Sequence, residues 1–422
     1  MTGVTCSETE APGSQTVLGY RQVRERTERL AQPLSAEDQT VQSMPDASPT
    51  KWHRAHTSWF FETFVLEPSL AGYRRFHPTY GYLFNSYYEA AGPRHPRPER
   101  GMITRPGVAE VACYRAHVDE AMALFLTDPP DGAVAELVEL GLHHEQQHQE
   151  LMLMDIKHLL SLNPLAPAYA PATEATMPAP RPPAGGWIGH DGGLVEIGHG
   201  GEGFCFDNET PLHTVHLAPF ELASALVTNG EWLAFIDDGG YRRPDLWLSE
   251  GWAAVQAHRW QAPGYWSHLE GAWRQFTLGG DRPVDPAEPV CHVSLFEADA
   301  YARWAGARLP TESEWEAVAA GAAGGADAPA VGALHPRPPT AGDQGFVGEV
   351  WQWTSSAYAP YPGYRPARGA VGEYNGKFMV NQYVLRGGSC ATPAGHARAT
   401  YRNFFSAAAR WAFAGLRLAR DA

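Results

Sequence analysis

The first residues of this sequence that could do chemistry are two histidines one helical turn apart. They lie in Leu142–Asp155, written LHHEQQHQELMLMD, inside a run from Leu142 to Leu162 that holds neither Gly nor Pro and reads as helix. His144 and His148 stand at i and i+4, so both imidazoles share one face, as a chelating pair requires. Glu150 follows His148 by two residues, about 200° around the helix, and cannot easily join the same coordination sphere. It is better placed to orient a ligand or to satisfy a buried donor. Two histidines at this spacing suit a solvated helix face equally well, so a third ligand decides the matter. Ser48–Glu67, SPTKWHRAHTSWFFETFVLE, offers one. Ser48 as N-cap and Pro49 at the first helical position announce a helix there. Trp52, His56, Trp59, Phe60 and Thr63 then fall on one face, so His56 points into a core, either as a ligand or as a core histidine satisfied by one hydrogen bond. His53 lies about 60° off that face and is the weaker candidate. Three imidazoles from two helices suit iron or zinc and leave positions open for substrate or dioxygen.

The elements that must position these residues divide the chain in two. From residue 15 to residue 162 the pattern is helical, with amphipathic runs at Gly107–Phe125 and Asp131–Leu160. Residues 163–186, NPLAPAYAPATEATMPAPRPPAGG, are proline-rich and read as a linker. Residues 187–422 carry short β-prone pieces such as LVEIG and HTVHL, many glycines and tryptophans, and helical segments near Thr228–Asp237 and Leu295–Gly306. The fold class expected is α+β in two domains, a helical bundle followed by a loop-rich mixed domain. A second low-complexity stretch, Ala319–Thr340, reads as a surface excursion.

With 422 residues, 44% of them hydrophobic, the chain can bury a large core in each half. Its formal charge of −15 argues against a nucleic-acid surface. No apolar run approaches the roughly 18 residues of a membrane span, and the first fifteen residues lack the cationic start and apolar stretch of a secretory signal. A cytoplasmic protein is expected. The five cysteines are scattered without a CxxC pair, so a disulfide framework is not expected, and each reads as a small buried hydrophobe. Asp237-Asp238 and Glu312 with Glu314 read as turn and helix-start residues, and the glycines of GHGGEG lack the context of a phosphate loop.

At WHRAH (Trp52–His56) and HEQQHQE (His144–Glu150) the sequence resembles the three-histidine iron site of the ergothioneine-biosynthesis sulfoxide synthases, whose N-terminal half is a DinB-like four-helix bundle. The second half resembles the formylglycine-generating-enzyme fold, a variant of the C-type lectin architecture, through RLPTESEWEAVAAG (Arg308–Gly321), GEVWQWTSSAY (Gly348–Tyr358) and RGGSC (Arg386–Cys390). The resemblance covers nearly the whole chain. It implies that His56, His144 and His148 bind Fe(II) and that the trimethylated histidine hercynine reacts there with a thiol and O2, giving a sulfoxide. It also implies that Gln147 hydrogen-bonds the substrate imidazole. The dipeptide Tyr87-Tyr88 resembles the tyrosine pair of the subgroup that carries its catalytic tyrosine on the N-terminal domain, where a phenol gives a proton. Asn403, Phe404 and Phe405 match the segment that contacts hercynine, Asn403 suiting a carboxylate and the rings a trimethylammonium; alone, the two phenylalanines read as strand-end core residues.

Some positions depart from the family pattern. Synthases that use γ-glutamylcysteine carry Trp-Asp where this chain has Phe404-Phe405, which favours cysteine or another small thiol. The common GNVWEW is GEVWQW here, with Glu349 and Gln352 substituted, which puts in doubt any calcium site in this domain. Formylglycine generators need a closely spaced cysteine pair for copper, whereas Cys291 and Cys390 are far apart. The alternatives are a selenoneine synthase joining hercynine to a selenosugar, a zinc-dependent DinB thiol transferase, and a non-catalytic lectin-like binding protein.

Overall fold

A computed structural model describes residues 12–128, 130–170, 185–322, 334–338, 344–367 and 369–422. The chain forms two compact units, residues 1–155 and 156–422. Most of the proline-rich run, residues 171–184, lies outside the described residues, as do 323–333 and 339–340 of the Ala/Gly/Pro stretch. No described helix is long and apolar enough to cross a membrane.

The first unit is built on four long helices: α1 (Pro12–Ala31), α2 (Thr50–Phe61), α5 (Val108–Phe125) and α6 (Gly132–Ser161). Two short ones, α3 (Glu67–Ser69) and α4 (Tyr80–Phe84), lie between α2 and α5. The amphipathic runs read from the sequence became α5 and α6. At α2 the reading needs two corrections. The N-cap position belongs to Pro49, with no side-chain cap. Ser48 is drawn elsewhere, its hydroxyl accepting from Arg100 Nη1 at 2.9 Å and its N–H donating to Asp155 at 2.8 Å. Nor is α2 buried along one stripe, for all twelve of its residues are buried.

That second departure has a physical basis in the polar side of α2. Arg54 donates to Glu28 of α1 at 3.0 Å and to Gln39 at 2.9 Å, while Ser58 accepts from Arg24 of α1 at 2.8 Å. Charged residues are buried only where such partners meet them. The network closes on Glu145 of α6, which is fully buried. Its carboxylate accepts from Thr27 at 2.6 Å, Arg24 at 2.8 Å and Arg115 at 3.0 Å. Burial alone would raise its pKa, but the two guanidiniums outweigh that and hold it down at about 2. Glu145 thereby fixes the rotation of α6 about its own axis. Gly141, a turn earlier, lets α6 lie close to α2, since a Cβ there would stand 2.6 Å from the Phe61 ring.

Among the described residues, the second unit contains four small sheets. Strands β1 (Trp187–His190), β4 (Phe220–Ala223) and β12 (Ala419–Asp421) pair in the order β1-β4-β12, and β2 (Gly193–Ile197) pairs with β3 (His213–Leu217). A third sheet joins β5 (Trp266–Leu269), β6 (Ala272–Thr277) and β7 (Gly280–Pro283). The fourth takes β8 (Trp351–Ala357), β9 (Tyr383–Arg386), β10 (Asn403–Phe405) and β11 (Ala414–Gly415) in the order β10-β9-β8-β11. LVEIG and HTVHL are the β2–β3 pair, Val195 facing Val215. The helices are α7 (Asn229–Asp237), α8 (Ser249–His258), α9 (Leu295–Trp304) and α10 (Glu312–Ala322). Thr228 and Ser294 cap α7 and α9, each in reciprocal exchange with a Glu three residues on.

The substituted motif GEVWQW has its own partners. Gln352 Oε1 accepts from Trp315 Nε1 at 2.7 Å and Arg417 Nε at 3.0 Å, while its amide nitrogen donates to the carbonyls of Phe346 and Gly345 at 2.9 and 3.2 Å. Glu349 accepts from the Arg337 N–H at 2.8 Å. Glu314 accepts from the Thr311 N–H at 2.7 Å at the start of α10, and Glu312 pairs with Arg402 at 2.8 Å. The cysteine expectation needs correcting. Of the four described cysteines, Cys113 is exposed, Cys205 and Cys390 are half-buried and only Cys291 is buried.

Candidate metal centre

Helices α2 and α6 bring His56, His144 and His148 together. One ring nitrogen of each lies within 4.8 Å of the others, and among the described residues this is the only group of three or more His, Cys, Asp or Glu side chains so placed. The Nε2 atoms of His56 and His144 are 3.1 Å apart. Bonds of about 2.1 Å to one ion set neighbouring ligand atoms roughly 3 Å apart, so the spacing suits a shared metal. His56 Nδ1 donates to the Phe84 carbonyl at 2.6 Å, which leaves its Nε2 lone pair facing the other two rings.

All three rings are buried, and burial holds His144 down at about 3. It lowers His56 and His148 too, each further depressed by its histidine neighbours. The rings are therefore uncharged at neutral pH, the form a metal binds. Aromatic walls exclude water: Trp52 stacks on His56 at 4.6 Å, Trp59 lies on it at 5.5 Å, and Phe60 packs 4.8 Å from His144. A π-helical turn, Glu62–Leu66, follows α2, and buried Glu62 anchors it by accepting from the hydroxyls of Tyr114 at 2.7 Å and Tyr73 at 2.8 Å.

The tyrosine pair sits in the same unit. Tyr87 and Tyr88 stack at 4.6 Å, and the Tyr88 ring lies 5.6 Å from Trp59, itself stacked on His56. Asn85 shapes this turn, accepting from the Tyr88 N–H at 3.1 Å and donating to the Tyr88 carbonyl at 2.9 Å. Tyr88 is fully buried and Tyr87 half-buried. Gln147 is half-buried on α6, next to His148, and Glu150 is buried.

In the second unit, Asn403, Phe404 and Phe405 form β10, paired antiparallel with Leu385, Val384 and Tyr383. All three are half-buried. Phe404 stacks on Tyr358 at 4.1 Å and Phe405 meets Trp411 edge-on at 5.7 Å.

Sequence reasoning passed over two buried charges beside the histidines. Arg100 lies 3.4 Å above the Trp52 ring, and Asp155 of α6 accepts from His53 Nε2 at 3.0 Å. Arg100 comes from a single short 3-10 helix, Arg97–Met102, too brief for periodicity to reveal. Asp155 did carry a signal, for it follows His148 by seven residues, two turns along the same face.

Residues 20–152 match the DinB superfamily, and residues 172–336 and 329–422 match the sulfatase-modifying factor enzyme 1-like domain. The fold and the histidine cluster thus define a protein that joins a DinB bundle to a sulfatase-modifying-factor domain. Curated relatives match the chain over nearly their full length. The chain is 34% identical to a hercynine oxygenase of Mycolicibacterium thermoresistibile, covering 94% of this chain and 93% of that one. It is 35% identical to the hercynine oxygenase of Mycobacterium tuberculosis, covering 96% and 99%. A formylglycine-generating enzyme of Streptomyces coelicolor is 39% identical over only 38% of this chain and 55% of its own. The chain belongs to the ergothioneine-biosynthesis sulfoxide synthase family, whose curated members here are the hercynine oxygenases.

Proposed function

We propose that this chain is an Fe(II)- and O2-dependent enzyme that joins hercynine to a small thiol such as cysteine. One C–H and one S–H bond are lost, a C–S bond and a sulfoxide form, and O2 is reduced to the sulfoxide oxygen and water. The observation that carries the reading is the convergence of three buried imidazoles in a member of this family. Held by His56, His144 and His148, Fe(II) supplies oxygen activation and a seat for a thiolate. In this reading Gln147 hydrogen-bonds the hercynine imidazole; in the other unit, Asn403 suits a carboxylate and the faces of Phe404 and Phe405 suit a trimethylammonium. A phenylalanine pair in place of Trp-Asp offers a donor thiol no carboxylate, which favours cysteine over γ-glutamylcysteine. Tyr87 and Tyr88 hold the hydroxyl protons that the reaction draws on.

The test is anaerobic loading with Fe(II), followed by hercynine and O2 with cysteine, γ-glutamylcysteine or a selenosugar in parallel, with products read by mass. A cysteine-derived sulfoxide supports the proposal, a faster selenium adduct replaces it with selenoneine synthesis, and no adduct with any donor rejects it. For the tyrosines, Tyr87→Phe and Tyr88→Phe are each assayed for sulfoxide formed per thiol consumed. At least one is expected to lower that ratio by roughly 100-fold, the lower end of what a positioned proton donor contributes. Unchanged ratios in both would remove the pair from the mechanism.

A further inference from the structure

Of the three clustered histidines, His148 is backed by a second imidazole. Its Nδ1 lies 2.8 Å from His53 Nδ1, and His53 Nε2 lies 3.0 Å from Asp155 Oδ2. Asp155 Oδ2 also accepts the Ser48 N–H at 2.8 Å, so the carboxylate is fixed to the residue before Pro49 at the mouth of α2. All these side chains are buried, His53 at 2% exposure and Asp155 at 7%. Among the described residues, His53 is the only basic group within ion-pair distance of Asp155, whose other oxygen is buried without a hydrogen-bond partner.

The hydrogen bonds allow one direction that suits a metal. If His148 Nε2 is to present a lone pair, its proton must sit on Nδ1 and be donated to His53. His53 Nδ1 then accepts, which puts the His53 proton on Nε2, pointing at Asp155. The carboxylate can only accept, so it enforces this order from the far end. The opposite order would need a proton on Asp155 or a second one on His53, and would leave His148 Nε2 blocked. The geometry points to His53 and Asp155 as positioning residues that set the tautomer of His148 and, through the buried negative charge, strengthen its donation to the metal. This rests on the metal reading above and extends it. His56 achieves the same tautomer with an uncharged carbonyl at Phe84, so the cluster holds one ligand with charged support and one without.

The test uses the full-length protein. Asp155→Asn keeps an oxygen that can accept from both Ser48 and His53 but removes the charge, and His53→Gln keeps an acceptor for His148 while cutting the link to Asp155. Fe(II) and Co(II) affinity, the visible spectrum of the Co(II) form and the Fe(III)/Fe(II) midpoint potential are the readouts. Asp155→Asn is expected to weaken Fe(II) binding by about 10- to 100-fold, to shift the Co(II) bands and to raise the potential. In the His53→Gln background the same substitution should have no further effect. If Asp155 merely anchors Ser48, the affinity, spectrum and potential of Asp155→Asn will match wild type, or its effect will persist unchanged in the His53→Gln background; either outcome overturns the proposal. Should Asp155→Asn fail to fold, His53→Gln against His53→Phe decides: the glutamine must retain metal better than the phenylalanine, and equal loss rejects the assignment. Wild-type protein that takes up neither metal would reject the metal reading itself, whereas normal loading in every variant would reject only the relay.

Discussion

Replacing His144 by alanine is expected to give a folded protein that neither retains Fe(II) nor forms product. His144 Nε2 lies 3.1 Å from His56 Nε2, and its ring centre lies 4.6 Å from that of His148, so removing it takes away the group common to both pairs. Loss of a residue that merely supports a ligand weakens metal sites by about 10- to 100-fold, and loss of the ligand itself should exceed that. The fold should survive, because an imidazole-to-methyl change in one buried position costs roughly 1–3 kcal/mol. Iron per chain, product by mass and the melting temperature separate the two effects. Stoichiometric iron in an active variant would reject the ligand assignment.

The next residue in the chain should behave oppositely. Glu145→Ala leaves Arg24 and Arg115 buried without their shared carboxylate, and breaking a buried pair in this way destabilises by about 3–5 kcal/mol. Urea unfolding should show a large loss of stability in the alanine variant and a smaller one in Glu145→Gln, which keeps a hydrogen-bond acceptor. A pH series on the wild-type protein checks the same group. The carboxyl of Glu145 is held at about 2 in the fold, against an ordinary value of 4.5, so its stabilisation is fully present above about pH 4.5 and is lost as the pH falls toward 2. The difference corresponds to roughly 3 kcal/mol. If Glu145→Ala matched wild type in urea, this network would not be what orients α6.

Why neighbouring residues diverge also shows how far the sequence could be read. The i, i+4 spacing of His144 and His148 is a local periodicity, and it announced both the helix and the shared face. The alternation in HTVHL is local too, and His213–Leu217 is the strand it suggested. What Glu145, Arg24 and Arg115 do depends on contacts among three separate helices, and no local pattern reports it. The same limit left α2 with a single apolar face in the sequence. Lys51, Arg54 and Thr57 look like a wet face until Glu28, Gln39 and Arg115 arrive from elsewhere to cover the face that Arg54 and Thr57 form. Ser48 looked like a cap because its type and position were right, but Arg100, from a distant stretch of the chain, claimed its hydroxyl. His53 was ranked below His56 by its helical angle, and the cluster with His144 and His148 holds His56, yet the partnership of His53 with Asp155 was beyond reach of that angle.

Gln352 carries a lesson for anyone building chimeras from this family. It accepts twice and donates twice, and its two outgoing hydrogens go to the carbonyls of Gly345 and Phe346. A carboxylate at that position has no hydrogen to offer either one, so restoring the common GNVWEW letter by letter would set negative oxygen against carbonyl oxygen in a sealed interior. The motif is therefore not a portable cassette. It must be exchanged together with the backbone at 345–346 and the side chains of Trp315 and Arg417, as one inherited block.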